Sequence, residues 1–184
     1  MPALALLLAG CGTAVNSGAS AALSGIDLKT MADHMAQSIA ADPQVQEVLE
    51  HDGPMRIVVL PVENRLQGEV LPLGQARAFT AQVRHLLGQQ RPEAFVWINN
   101  RDTFYALRAR ELAGLDGLDP GPSPDAIQPQ FALHAVFTSQ ANVDKRGRSN
   151  FYVANFELTD IQDRTVLWSD VYNVKKTIRT NILD

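Results

Sequence analysis

The chain has 184 residues and a formal net charge of -4, with 16 Lys+Arg against 20 Asp+Glu and 46% hydrophobic residues. That length fits one domain with some tail to spare, and the apolar content can fill a real core. The acidic balance argues against a nucleic-acid-binding surface, which needs clustered basic residues. No apolar run approaches the about 20 residues that span a bilayer as a helix.

Near the N-terminus, Ala3 to Leu8 is apolar throughout and ends in Leu8-Ala9-Gly10-Cys11. Small residues before a cysteine, after a short apolar run, are the pattern of a bacterial lipoprotein processing site. It predicts that residues 1–10 are a signal peptide, that Cys11 becomes the mature N-terminus, and that lipid on its sulfur holds the protein to a membrane. The alternative is a buried cysteine near a frayed end, but the polar Gly/Ser-rich stretch that follows is unlike a core. Met1-Pro2-Ala3 lacks the positive charge that opens a secretory signal, which predicts a start internal to a longer reading frame. Cys11 is the single cysteine, so no internal disulfide can form, and lipidation would remove a free thiol from an oxidising compartment.

Residues 11–25 are small and polar without periodicity and read as a flexible tether, followed by one globular periplasmic domain over 26–184. Fully stretched, the tether reaches about 50 Å at roughly 3.5 Å per residue. Asp27 reads as the N-cap of an amphipathic helix over 28–41, with Leu28, Met31, Ala32, Met35, Ala36 and Ile39 on its apolar stripe. Asp42-Pro43 ends it and opens a short helix to about 51. Met55 to Val62 reads as a buried strand, 63–72 as a loop, 74–89 as a helix, Ala94 to Ile98 as a second buried strand, and 101–113 as a helix capped by Asn99 or Asn100. A breaker-rich segment from Gly114 to Pro129 reads as a solvent-facing loop.

The last third reads as three long strands, Phe131 to Val143, Phe151 to Ile161 and Thr165 to Lys175, whose short connections force antiparallel pairing. Tyr152, Ala154, Phe156 and Leu158 alternate with Asn155 and Glu157, so one face is buried. The predicted fold class is α/β (α+β). It has a single mixed sheet with a parallel, right-handed βαβ part and a C-terminal antiparallel three-strand meander, with helices packed on the sheet.

No catalytic constellation stands out. His34, His51, His85 and His134 have no partner at metal-ligand spacing, so no metal and no cofactor is predicted. His34 and His85 read as boundary packing. Asp116, Asp119 and Asp125 do not match a calcium loop, and Gly114–Gly121 is in the wrong context for phosphate. Asp160 and Asp163 flank a hairpin turn, where aspartate side chains bond nearby backbone amides. Lys145, Arg146 and Arg148 form a small basic tip that can meet acidic partner residues. Trp168 and Tyr172 read as packing aromatics or interface anchors.

Phe156-Glu157-Leu158-Thr159-Asp160 and Asp163-Arg164-Thr165-Val166-Leu167-Trp168-Ser169-Asp170 resemble the strand, turn and Trp-Ser-Asp/Glu strand of LpoB-type proteins. The opening Asp27 to Met31, the strand Arg56 to Leu60 and Glu63-Asn64-Arg65 fit the same pattern. The resemblance spans most of 26–176, with related sheet modules in the curli-secretion pore lipoprotein and in TolB. It implies a non-enzymatic lipoprotein anchored through Cys11 in the outer membrane and facing the periplasm. Its implied partner is a class A penicillin-binding protein, which it activates in peptidoglycan synthesis. The short tether and the additional helix near 43–51 depart from the pattern. A structural subunit of an envelope assembly is the alternative.

Overall fold

A computed structural model describes residues 14–17, 22–67, 69, 71–112, 127–144 and 147–179. In chain order the elements are β1 (Ala14–Ser17), α1 (Gly25–Ala41), α2 (Pro43–Asp52), β2 (Met55–Val59), β3 (Glu63–Arg65), α3 (Leu73–Gln90), β4 (Phe95–Ile98), α4 (Arg101–Leu112), β5 (Phe131–Asp144), β6 (Gly147–Asp160) and β7 (Val166–Arg179). All seven strands form one mixed sheet in the order β1-β7-β6-β5-β2-β4, with β3 pairing β5 off that path. The fold class is therefore the predicted α+β arrangement, with a parallel β2–β4 pair around α3 and an antiparallel β5–β6–β7 meander.

Alternation in the meander decides which face is covered. On β6 the side chains of Asn150, Tyr152, Ala154, Phe156 and Leu158 are buried, while Phe151, Val153 and Asn155 are half-buried and Glu157 is exposed. A period of two sends these sets to opposite faces. The covered face packs against α1, α2 and α3, and the open face holds the other set. At its centre Phe79 of α3 lies 5.3 Å from Phe137 and 6.0 Å from Phe156, ring centroid to centroid. The stripe Leu28, Met31, Ala32, Met35, Ala36 and Ile39 of α1 is buried as its spacing predicts.

Local chemistry sets the element ends. Helix α1 starts earlier than predicted, and its N-cap is Ser24 rather than Asp27. Ser24 accepts from the Asp27 amide at 3.3 Å and its own amide donates to Asp27 Oδ2 at 2.7 Å, a reciprocal capping box. Asp42 Oδ1 caps α2 by accepting from Gln44 N at 2.9 Å and Val45 N at 3.1 Å, with Pro43 in the first turn. Asn100 Oδ1 accepts from Thr103 N at 2.8 Å at the start of α4. In the β6–β7 turn Asp160 Oδ1 accepts from Gln162 N and Asp163 Oδ1 from Thr165 N, the turn role read for both. The strand expected over Met55 to Val62 ends at Val59, and the expected loop 63–72 contains a further short strand. Leu60 N still donates to Leu133 O at 2.9 Å, but Pro61 has no amide to give the ladder, so the chain leaves the sheet there and rejoins β5 further along as β3.

The tether is the second difference. Ala14–Ser17 lie parallel to β7, with Ala14 opposite Val174 and Ser17 opposite Thr177, and Leu23 packs against the core. Strand β7 leaves an edge of unpaired N–H and C=O groups, and a short segment of small residues satisfies them through backbone alone. Of the expected loop at 114–129, residues 114–126 lie outside the described set, and Ile127 is exposed.

Phe156 is 1% exposed at the aromatic centre, whereas Val171 on the open face is 49% exposed. Phe156→Ala is expected to lower the unfolding free energy by about 3–5 kcal/mol, and Val171→Ala to change it by less than about 0.5 kcal/mol. Urea titration of the two variants against the parent chain checks the contrast.

Candidate functional site

The covered face turns polar near the far end of the meander. There Lys176 of β7 sits beside Asp27 of α1, with Nζ 2.5 Å from Oδ2 and side-chain exposures of 7% and 5%. Ser24 adds a hydroxyl donor to the same oxygen at 2.6 Å. Burial is the largest single influence on Asp27 and pushes its carboxyl upward. The hydrogen bonds from Lys176 and Ser24 together outweigh it and hold the pKa below the usual carboxylate value. The pair fixes the N-terminus of α1 on the sheet, since a charge taken out of water without its partner is strongly unfavourable.

Next to it on β6, opposite Lys176, is Asn150, and two residues on is Tyr152. The Tyr152 hydroxyl donates to Glu69 at 2.7 Å and accepts from Asn150 Nδ2 at 2.9 Å. Asn150 Nδ2 also reaches Glu69 at 3.0 Å, and its Oδ1 accepts from Arg148 Nε at 3.1 Å. Burial, then the bond to Glu69, drives the Tyr152 pKa far upward, so the phenol stays protonated and donates. Ser139 Oγ accepts from the Gln67 amide at 2.9 Å. These contacts sew the 66–72 connection to β5 and β6.

The arrangement positions elements of the fold. Tyr152 and Lys176 are both held by carboxylates beneath α1 and the 66–72 connection. Among the described residues no group of three or more His, Cys, Asp or Glu comes together as a metal site would require. The cavity over Leu133 between α1 and α3 holds ≈ 10 Å³, about the space of one water. A groove beside Glu69, lined by Leu23, Leu66, Leu71, Pro72 and Gln75, opens to solvent.

The residues singled out from the sequence do not form one patch. Cys11, Lys145 and Arg146 lie outside the described residues. Arg148 is exposed near the hairpin end, opposite Ile178. Trp168 is 4% exposed and its Nε1 donates to Ser38 Oγ at 3.3 Å. It therefore leaves the set of partner contacts, because a buried indole gives a partner nothing to touch. Ten residues of strand, roughly 33 Å, separate it from the level of Arg148. Tyr172 is half-buried with its ring 4.9 Å from His34, and His34 Nδ1 is 3.4 Å from Asp170 Oδ2. Burial, then the charge of Asp27, raises the Tyr172 pKa. Sequence reasoning missed the Asp27–Lys176 pair. Its partners are 149 residues apart, and reading Asp27 as an N-cap gave no sign of a buried cation beside it.

No family model and no curated protein matches this chain. Among solved structures it is similar to the LpoB C-terminal domain from Salmonella enterica, at 19% identity and TM-score 0.41, covering 72% of this chain and 93% of that one. It is similar to the same domain from Escherichia coli at 17% and 0.42, covering 76% and 96%. A lipoprotein from Neisseria meningitidis matches at 15% and 0.42, covering 67% and 84%. No residue role passes from these structures to this chain.

Lys176→Met is expected to cost about 3–5 kcal/mol because it strands a buried carboxylate, and adding Asp27→Leu is expected to recover most of the loss. The pH dependence has a definite sign. A carboxyl whose pKa is depressed on folding stabilises above its unfolded value and loses that contribution as pH falls. The stability gap between the parent chain and Asp27→Asn should therefore be full at neutral pH and narrow below pH 3.8, the ordinary Asp value. Thermal melts across pH 2–7 read this directly, and a gap that widens on acidification contradicts it.

Proposed function

We propose that this chain is a lipid-anchored envelope protein that binds and activates a class A penicillin-binding protein in peptidoglycan synthesis. The observation that carries it is the run from Ala3 to Cys11, an apolar stretch closing on Leu-Ala-Gly-Cys, which specifies lipid on the one cysteine and so a place at a membrane. The segments that carry the LpoB-type resemblance support the reading. They fall on the start of α1, on β2 and β3, and on the β6–β7 hairpin.

Activation by a domain of this kind is differential binding. The domain raises synthase activity only by holding the active conformation more tightly than the inactive one. It supplies a surface and no reacting group. The exposed Arg148, with Lys145 and Arg146 next to it in the chain, is the contact offered to acidic partner residues. Outer-membrane placement facing the periplasm belongs to the same proposal.

The test is glycan polymerisation by each of the host's class A synthases with the lipidated full chain added. A several-fold rise with at least one synthase is expected, and Arg148→Glu is expected to weaken that binding several-fold through charge reversal at the contact. If every host synthase neither binds nor responds, the activator role is wrong.

A further inference from the structure

The pairing of β1 changes what an anchor at Cys11 would do. Only two residues, Gly12 and Thr13, separate Cys11 from Ala14, which pairs with Val174. Three residue steps span at most about 10 Å. A lipid on Cys11 thus holds the β1–β7 edge itself beside the bilayer, with no spacer in which the domain could swing.

Charge distinguishes the two sides of that edge. Next to β7 the helix-covered side carries Asp33, Glu47, Glu50 and Asp170, with Lys29 tied to Asp33 at 2.7 Å, while the basic Arg77 and Arg84 sit on α3, which packs on α1 and β4. The open side carries Lys175, exposed and without an ion pair among the described residues, in register with half-buried Phe151 and directly opposite Val15 of β1. Val171, 49% exposed, and the uncharged Ser169 and Asn173 complete the open face of β7 between residues 169 and 175. Of the open-face acids, Glu157 stands opposite Ser169 at the other end of this stretch, six residues along β6 and roughly 20 Å from the level of Lys175. Glu63 is engaged by Arg65 at 2.7 Å.

We propose that β1 is a rigid mount, and that the open face of β7 beside it, led by Lys175, rests on the anionic headgroups of the membrane that holds Cys11. The proposal rests on the anchor reading above. A basic and apolar surface held within a Debye length of an anionic bilayer is drawn to it, while the acidic helix side is turned away.

Because Cys11 is the one cysteine, a maleimide lipid couples there uniquely, and orientation can be measured whatever the cell does to that residue. The full chain is coupled in this way to vesicles of phosphatidylcholine and phosphatidylglycerol with an energy acceptor in the headgroups. A fluorophore is carried on a genetically encoded azide at the position of Ser169, or in a second sample at Glu50. Transfer several-fold higher from position 169 is expected, shrinking on pure phosphatidylcholine and in Lys175→Glu. Inserting a long Gly/Ser spacer after Thr13 should make the two positions alike. Equal transfer from both on the anionic vesicles, or more from position 50, overturns the proposal. Native lipidation is read separately, by intact mass and membrane fractionation of Cys11→Ser against the parent, so its failure is distinguishable from failure of the mount.

Discussion

Strand β7 is where the structure is held together, and the buried pair of Lys176 with Asp27 is its strongest constraint. A charged lysine at 7% side-chain exposure is tolerable only against a carboxylate placed with precision, and that placement fixes the N-terminus of α1. Trp168 repeats the attachment further down, through Ser38 on the same helix. On its free edge β7 carries β1, whose Asn16 stands opposite Lys176. The same strand therefore anchors the helical layer on one face and the N-terminal segment along one edge.

This geometry governs how far such a protein reaches. A flexible tether from Cys11 to Asp27 would have given the domain tens of ångströms of freedom. With β1 in the sheet, reach comes from the domain itself. The meander strands of 14 residues are roughly 45 Å long, but β1 pairs with Val174 to Thr177 and Arg148 stands opposite Ile178, so the hairpin lies at the same end of the sheet as β1. Under the proposed function, a partner that meets Arg148 has to come close to the membrane that holds Cys11. In the proposed reading, membrane attachment at the β1–β7 edge and partner contact at Arg148 are neighbours, with Lys175 three residues, roughly 10 Å, from the level of Arg148 along the strands.

The parts of the fold legible in sequence were those written in side-chain periodicity. Tyr152 to Leu158 alternate cleanly because one sheet face is covered and the other is open. The α1 stripe is legible for the same reason at helical spacing. What stayed hidden was written in the backbone or in distance. Ala14–Ser17 have small side chains, and the edge they fill belongs to residues 160 positions away. Pro61 inside an apolar run was visible, but that its two sides would pair the same strand β5 was not. The Asp27–Lys176 pair joined a capping residue to a lysine that alternation alone would place in the core against its chemistry. Trp168 was ambiguous because an indole suits both a core and an interface, and only its burial under α1 separates the two.

Whether the N-terminal segment is part of the sheet or a loose leash is the point on which the rest turns. Amide hydrogen exchange over Ala14–Ser17 in the full chain tests it most directly. In a parallel edge strand, alternate amides donate to the neighbour, so slow exchange at alternating positions, comparable to the β7 edge, is the expected result. Exchange of all these amides at the rate of an unstructured peptide would contradict a mounted domain.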